Sequence, residues 1–254
     1  MLEVQNITKI YNPGTVMEHR LFHDFSLTVD EGQFVAIVGG NGSGKTSLLN
    51  IICGTIPLES GDVRIDGQSI AKRKDYQRYA NMGRVYQNPS AGVCPNLTML
   101  ENLSLADNKG KPFNLTRAVN RSRVDFYRDQ LRALDLGLED KLDVRMGSLS
   151  GGQRQAVSLL MASMTPLRFL ILDEHTAALD PKTAEIIMGL TDRIIREKSL
   201  TAMMVTHNLR HAVEYGDRIL MMYQGSIVLD RAGEAKKNTS MDEILSMFNR
   251  ISTQ

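Results

Sequence analysis

Residues 39–46 have the sequence GGNGSGKT and match the pattern G-x-x-x-x-G-K-[ST] of the phosphate-binding P-loop. The apolar run FVAIV at residues 34–38 precedes the loop and predicts a buried parallel strand. The residues after the loop predict a helix that Gly54 can end. This order of strand, loop and helix is the context that the motif requires, and it predicts an α/β fold.

The composition of this loop predicts a nucleoside triphosphate as the ligand. Glycines let the backbone wrap around phosphates with its N–H groups pointing inward, because that shape needs positive φ and no Cβ. Lys45 is expected to reach the β- and γ-phosphate oxygens, and the Thr46 hydroxyl is expected to ligate Mg²⁺. A glycine-rich turn with a chance lysine is the alternative interpretation, and the flanking strand and helix weigh against it.

The overall composition is that of an ordinary globular protein of 254 residues with 42% hydrophobic residues. Lys and Arg number 30 against 29 Asp and Glu. The net charge is therefore close to zero and does not indicate nucleic acid or an anionic membrane as a partner. The two cysteines, Cys53 and Cys94, fit a reducing compartment. We expect no membrane span and no signal peptide, and therefore a cytoplasmic chain that reaches a membrane only through another subunit.

Alternating apolar and polar residues predict a small antiparallel sheet from residues 2–11, 21–30 and 62–67, the last with an Asp-Gly turn. Apolar runs predict further strands at residues 83–87, 169–172, 202–205 and 218–222, and helical stretches separate most of them. This alternation implies βαβ units and a parallel sheet. Capping boxes at Thr98 and Ser240, and Asp180 followed by Pro181, predict three helix starts.

A change to helical patterning after residue 87 predicts three regions. Residues 1–87 and 160–232 form the α/β core with its antiparallel β subdomain, and residues 88–159 form an inserted helical subdomain. The tail, residues 233–254, is expected to add one short helix.

Two further motifs narrow the family. Residues 149–153 are LSGGQ, and residues 170–174 are LILDE. A match to LSGGQ is far rarer by chance than a P-loop match, because it fixes five positions that include two glycines. With these motifs in order, the chain resembles the ATP-binding cassette family, the ATPase subunits of ABC transporters, from about residue 2 to residue 229. The resemblance implies a P-loop NTPase (RecA-like) fold that binds ATP and Mg²⁺.

The resemblance also implies roles for single residues. Asp173 would hold Mg²⁺ through water, with Thr46 and Gln87 as further metal contacts, and Glu174 would be the general base or orient the attacking water. The candidate catalytic residues are Glu174, His207, Lys45 and Gln87. The candidate ATP-binding residues are Tyr11, Gly39, Asn41, Gly42, Ser43, Gly44, Lys45, Thr46, Ser47, Gln87, Asp173 and His207. Tyr11 would stack on adenine, although it could be a core aromatic instead, and His207 could be an ordinary loop histidine.

The signature residues Ser150, Gly151, Gly152 and Gln153 would serve a nucleotide on a second subunit, which implies a homodimer with two shared ATP sites. Asp180 resembles the D-loop residue that connects these sites, and it also caps its own helix. One position departs from the family pattern, because His175 stands where proline commonly follows the catalytic glutamate. We interpret His175 as a tolerated loop residue; the alternative is that its titration alters the pH dependence of hydrolysis.

These features favour the ATPase subunit of an importer whose membrane-spanning permease is a separate chain. Such a subunit would work on the cytoplasmic face of the membrane, indirectly with a solute-binding protein, and the subgroup resembled includes amino-acid uptake systems. A soluble cassette ATPase of the iron–sulfur assembly type and an exporter subunit are the alternatives. DNA-acting cassettes would carry a long coiled coil, and ribosome-acting ones a second cassette, and the sequence contains neither, so no nucleic-acid partner is expected.

Overall fold

The computed structural model describes residues 1–111 and 118–252. The chain forms two compact units: Met1–Tyr79 with the chain from Ser199 onward, and Ala80–Lys198. The predicted helical subdomain, residues 88–159, falls within the second unit, and its limits stay a prediction. Residues 112–117 of that subdomain lie outside the described ranges.

Strands and helices are numbered separately, each in chain order. The strands are β1 (Leu2–Tyr11), β2 (His19–Val29), β3 (Phe34–Gly39), β4 (Ser60–Ile65), β5 (Gln68–Ser69), β6 (Met82–Val85), β7 (Phe169–Asp173), β8 (Thr201–Val205), β9 (Arg218–Tyr223) and β10 (Ser226–Ala232). The helices are α1 (Lys45–Cys53), α2 (Asp75–Tyr79), α3 (Met99–Asp107), α4 (Val124–Arg132), α5 (Gly151–Ser163), α6 (Pro181–Glu197), α7 (Leu209–Tyr215), α8 (Gly233–Lys237) and α9 (Met241–Ser252).

The first unit contains the predicted antiparallel sheet, with the strand order β2-β1-β4-β5. Asp66 and Gly67 join β4 to β5 with φ of 50° and 74°, the left-handed values that a tight hairpin turn needs. The unit also contains the buried strand β3, which pairs in parallel with β8 and β9. The antiparallel subdomain and the parallel core are therefore confirmed, and β10 adds an antiparallel edge that was not predicted.

Helix α1 ends at Gly54, as predicted, in the left-handed conformation with φ 84°. Arg78 of α2 secures this end, because its Nη1 donates hydrogen bonds to the carbonyls of Ile51 (2.8 Å) and Ile52 (3.0 Å). A positive charge at a helix C-terminus also interacts favourably with the helix dipole. Burial lowers the pKa of the Arg78 guanidinium. The sequence pattern contained no sign of this contact.

The second unit contains the parallel pair β6–β7 and the helices α3 to α6. The capping box at Thr98 is confirmed, since Thr98 and Glu101 satisfy each other's backbone amides at the start of α3. Asp180 caps α6 and Pro181 is its first residue, as predicted. Strand β7 is buried along its whole length, which places the residues after it at the edge of an apolar core.

The C-terminal region differs from its prediction, because it holds the two helices α8 and α9 instead of one. Ser240 does cap α9, since its hydroxyl accepts a hydrogen bond from the Glu243 amide. Among the described residues, none of the helices is both long enough and apolar enough to span a bilayer.

Candidate functional site

The P-loop has the backbone shape that its glycines allow. Gly39 has φ of 154° and Gly44 has φ of 102°. A Cβ on Gly39 would lie only 2.3 Å from the Met222 carbonyl oxygen, so this position excludes every larger residue. Helix α1 starts directly after Gly44 and has no acidic residue in its first turn. Its free N–H groups and partial positive charge therefore favour an anion at the loop.

Lys45 lies inside the loop and is 5% exposed. Its ammonium group donates hydrogen bonds to the carbonyls of Gly39 (2.8 Å) and Gly40 (2.9 Å). The side chain thus folds back over the loop, which fixes a positive charge beside the Gly39 and Gly40 carbonyls. The next residue, Thr46, is exposed, so its hydroxyl is accessible to a ligand.

Tyr11 ends β1 next to the first turn of α1. Its hydroxyl donates a hydrogen bond to the Ser47 hydroxyl at 3.0 Å, and the Lys9 ammonium lies 5.4 Å from the centre of its ring. These contacts bring Tyr11 to the helix that carries Lys45 and Thr46. Its stacking on adenine stays a prediction.

His207 lies at the same edge of the parallel sheet as the P-loop. Ile37 of β3 pairs with Val205 of β8, so Gly39 and His207 each follow the paired position by two residues. His207 is exposed, and the next residue, Asn208, caps α7 by accepting hydrogen bonds from two backbone amides. The sheet therefore brings the candidate histidine to the side where the loop amides are.

In the second unit, the strand pair β6–β7 brings Gln87 and Glu174 to one edge. Val85 pairs with Leu172, and Gln87 and Glu174 each follow the paired position by two residues. Gln87 is exposed and Glu174 is partly exposed. Glu174 has φ of 48°, and its carbonyl accepts a hydrogen bond from the Ala177 amide at 2.9 Å. A left-handed glutamate is uncommon and marks a tightly determined turn.

Asp173 is the last residue of β7, and Arg84 of β6 binds it. Arg84 Nη2 donates a hydrogen bond to Asp173 Oδ2 at 2.7 Å. Sequence reasoning missed Arg84, although a charged residue inside the strand MGRV was a visible signal. This ion pair engages Oδ2, and Oδ1 is the other oxygen of the carboxylate.

His175 lies in the loop after Glu174, but it is buried and hydrogen-bonded. Its Nε2 is 3.0 Å from the Thr191 hydroxyl oxygen, and that hydroxyl donates its proton to the Ile187 carbonyl. The hydroxyl oxygen must therefore accept from His175, which requires a proton on Nε2. His175 thus connects the turn at Glu174 to the middle of α6.

The signature residues form the start of α5. The Ser150 hydroxyl accepts from the Gln153 amide and the Gln153 side chain accepts from the Ser150 amide, both at 3.2 Å. This capping box was not predicted, although the spacing Ser-x-x-Gln is its signature. A Cβ on Gly152 would lie 2.2 Å from the Thr183 methyl, so α5 and α6 approach closely at this glycine.

Asp180 accepts a hydrogen bond from the amide of Thr183, the residue whose methyl group approaches Gly152. Hydrogen bonds from the Thr183 side chain and amide keep the pKa of Asp180 below its ordinary value. The predicted D-loop residue and the predicted signature residues therefore share one contact region within the second unit.

The donor chemistry fits magnesium. No group of three or more His, Cys, Asp or Glu side chains that could hold a metal occurs in residues 1–111 and 118–252. Mg²⁺ does not need one, because it keeps several waters and takes one or two carboxylates plus substrate phosphates. The carboxylate of Asp173 and the hydroxyl of Thr46 are oxygen donors of the required type.

Comparison with known proteins gives one consistent result. The family model described as ABC transporter matches residues 22–177. A tyrosine transport ATP-binding protein of Clostridioides difficile (strain R20291) is 44% identical over 248 residues, 98% of each chain. A phosphonates import ATP-binding protein, PhnC, of Lactococcus lactis subsp. cremoris (strain SK11) is 32% identical over 96% of this chain and 98% of its own.

Solved structures agree with the sequence matches. The dimeric post-hydrolysis state of the ATP-binding cassette MJ0796, bound to ADP and Pi, matches with a TM-score of 0.77 and 30% identity, over 91% of this chain and 98% of that chain. The ADP conformation of MJ1267, a cassette of an ABC transporter, matches with a TM-score of 0.80 and 25% identity over 98% of both chains.

Proposed function

The chain belongs to the ABC transporter family of ATP-binding cassettes, which hydrolyse ATP, and we propose that it drives an importer through a separate permease subunit. The observation that carries the proposal is the P-loop, whose shape and buried Lys45 ammonium suit a triphosphate. The relative named as a phosphonates import protein supports the direction of transport, and the relative named as a tyrosine transport protein supports a role in transport.

The proposed division of labour at ATP follows from the chemistry of each side chain. The phosphates are bound by Lys45 and by the loop residues Gly39, Asn41, Gly42, Ser43 and Gly44. Ser47 lies next to Thr46 in the first turn of α1. Tyr11 stacks on adenine. Thr46, Asp173 and Gln87 hold Mg²⁺, which when bound neutralises charge on the phosphate oxygens. Glu174 accepts the proton of the attacking water, and His207 contacts the γ-phosphate.

A second copy of the chain completes each site in this proposal. Ser150 suits the role, because its hydroxyl oxygen already accepts from the Gln153 amide and its own proton can be donated to a γ-phosphate oxygen. Gly151, Gly152 and the N-terminus of α5 add backbone amides and partial positive charge. Asp180 connects the two sites. The solved dimer of MJ0796 supports such an arrangement.

The proposed permease contact lies in residues 88–105, which follow Gln87. Cysteines placed along this segment should crosslink to a multi-spanning membrane protein when membranes of the native host are treated with a short bifunctional reagent. Crosslinks to soluble proteins alone would contradict the importer proposal and favour a soluble cassette ATPase. Cysteines placed on β2, in the antiparallel sheet, serve as the control. With the exposed native Cys94 of the segment replaced by serine, they should not crosslink to that protein.

The proposed cargo is an amino acid, delivered by a solute-binding protein, and the proposed location is the cytoplasmic face of the cell membrane. The test is co-purification of a tagged chain from detergent-solubilised membranes, followed by uptake assays with labelled tyrosine. A permease should co-purify, and loss of the chain should abolish uptake of an amino acid. Accumulation of a solute inside cells that lack the chain would indicate an exporter instead.

A further inference from the structure

Arg84 lies inside the strand pair that carries Asp173. It is opposite Ile171 in the register of β6 and β7, and Asp173 follows Ile171 by two residues. Side chains two positions apart lie on the same face of a strand, so Arg84 and Asp173 share one face of the pair. The two side chains are 6% and 12% exposed, and they form a hydrogen-bonded ion pair of 2.7 Å.

A second contact fixes the guanidinium from another side. Its central carbon lies 4.8 Å from the centre of the Tyr86 ring, within cation–π distance. The Tyr86 carbonyl accepts a hydrogen bond from the buried Gln155 side chain at 3.1 Å. Arg84 is therefore held by Tyr86 and Asp173 together, and its Nη2 can set the orientation of the carboxylate through Oδ2.

We propose that Arg84 is a positioning residue for ATP hydrolysis, which holds Asp173 by Oδ2 and so leaves Oδ1 for the water shell of Mg²⁺. This inference rests on the proposed function, in which Asp173 is the magnesium carboxylate. Partners that orient a metal-binding carboxylate typically change metal affinity about 10–100-fold when they are removed. Arginine suits the role because its donors are arranged rigidly in a plane, whereas a lysine ammonium is a flexible point charge.

The test measures how much Mg²⁺ strengthens ATP binding. ATP is titrated calorimetrically into the full chain with Glu174→Gln to prevent hydrolysis and Ser150→Arg to prevent dimerisation, once with excess Mg²⁺ and once with EDTA. The ratio of the two dissociation constants reports the metal contribution, and it does not change when part of a variant is unfolded. Arg84→Gln should reduce the ratio about tenfold or more, and Arg84→Lys should give an intermediate value.

Arg123→Gln is the matched control. Arg123 also pairs with a carboxylate, with its Nε 2.7 Å from Asp107 Oδ2, and also lies over a ring, 4.2 Å from the centre of Phe126. Because Asp107 is not one of the candidate ATP-binding or metal residues, this variant should lose stability and keep the parent ratio. A reduced ratio in Arg123→Gln would show that losing an arginine–carboxylate pair outside the proposed site has the same effect, and it would overturn the proposal.

Asp173→Asn distinguishes a failure of the metal role proposed for Asp173 from a failure of the positioning role proposed for Arg84. If this variant keeps the parent ratio, Asp173 is not the magnesium carboxylate and the proposed function of that residue fails. If Asp173→Asn reduces the ratio while Arg84→Gln leaves it unchanged or raises it, the positioning role of Arg84 alone is refuted. A raised ratio would mean that the arginine acts by repelling the cation.

Discussion

Gly152→Ala should destabilise the chain through one identifiable collision. The added Cβ would lie 2.2 Å from the Thr183 Cγ2, whereas carbon atoms in contact need about 3.5–4.0 Å. Thr183 cannot move away easily, because its side chain and its amide both hydrogen-bond the Asp180 carboxylate that caps α6. Overpacking of this kind costs about 1–3 kcal/mol of unfolding free energy.

Thr183→Ala removes both γ atoms and should relieve the collision. In that background Gly152→Ala should be neutral or stabilising, since alanine favours a helix over glycine by about 0.5–1 kcal/mol. Urea unfolding of the four proteins measures the coupling, and ATP hydrolysis should fall in Gly152→Ala and recover in the double variant. Equal destabilisation by Gly152→Ala in both backgrounds would refute the reasoning.

Three further changes follow from other contacts. Lys45→Ala should reduce phosphate release from ATP to background, because the loop loses its charged donor; hydrolysis at the parent rate would show that the P-loop assignment is wrong. Arg78→Ala should lower the unfolding free energy measured in urea by about 2–4 kcal/mol, because the carbonyls of Ile51 and Ile52 lose a charged donor. Arg78→Lys should lower this free energy by less. Burial lowers the pKa of Lys109 from 10.5 to about 8, so the folded chain binds this proton less tightly than the unfolded chain. Unfolding free energy should therefore rise from about pH 8 to pH 10.5 relative to Lys109→Met, and a pH-independent difference would contradict that shift.

Local sequence patterns were sufficient for the elements that carry the candidate residues. The alternation in residues 2–11 predicted β1 with its observed bounds, and Asp180-Pro181 predicted the start of α6, because both signals depend only on neighbouring residues. The P-loop shape was predictable because its backbone has positive φ at several positions, which only glycine adopts readily. The Ser-x-x-Gln capping box at Ser150 was equally local and was overlooked.

Contacts between distant residues could not be predicted in this way. Arg84 and Asp173 are 89 positions apart, and their pairing depends on the register of two strands. Arg78 reaches Ile51 across 27 positions through a turn that has no sequence signature. The burial of His175 likewise depends on how α6 packs against the loop after Glu174. The sequence predicted a loop position for His175, but it did not predict the hydrogen bond to Thr191.

The shared-site mechanism is the central claim, and the mass of Glu174→Gln in solution tests it most directly. The variant keeps the shape of the site and removes the base, so bound ATP should hold two subunits together. Size-exclusion chromatography with light scattering should give the 28.3 kDa monomer without nucleotide and twice that mass with saturating Mg²⁺-ATP. Adding Ser150→Arg should abolish the dimer, because a large side chain would enter the γ-phosphate position. A Glu174→Gln protein that binds ATP and stays monomeric at saturation would contradict the claim.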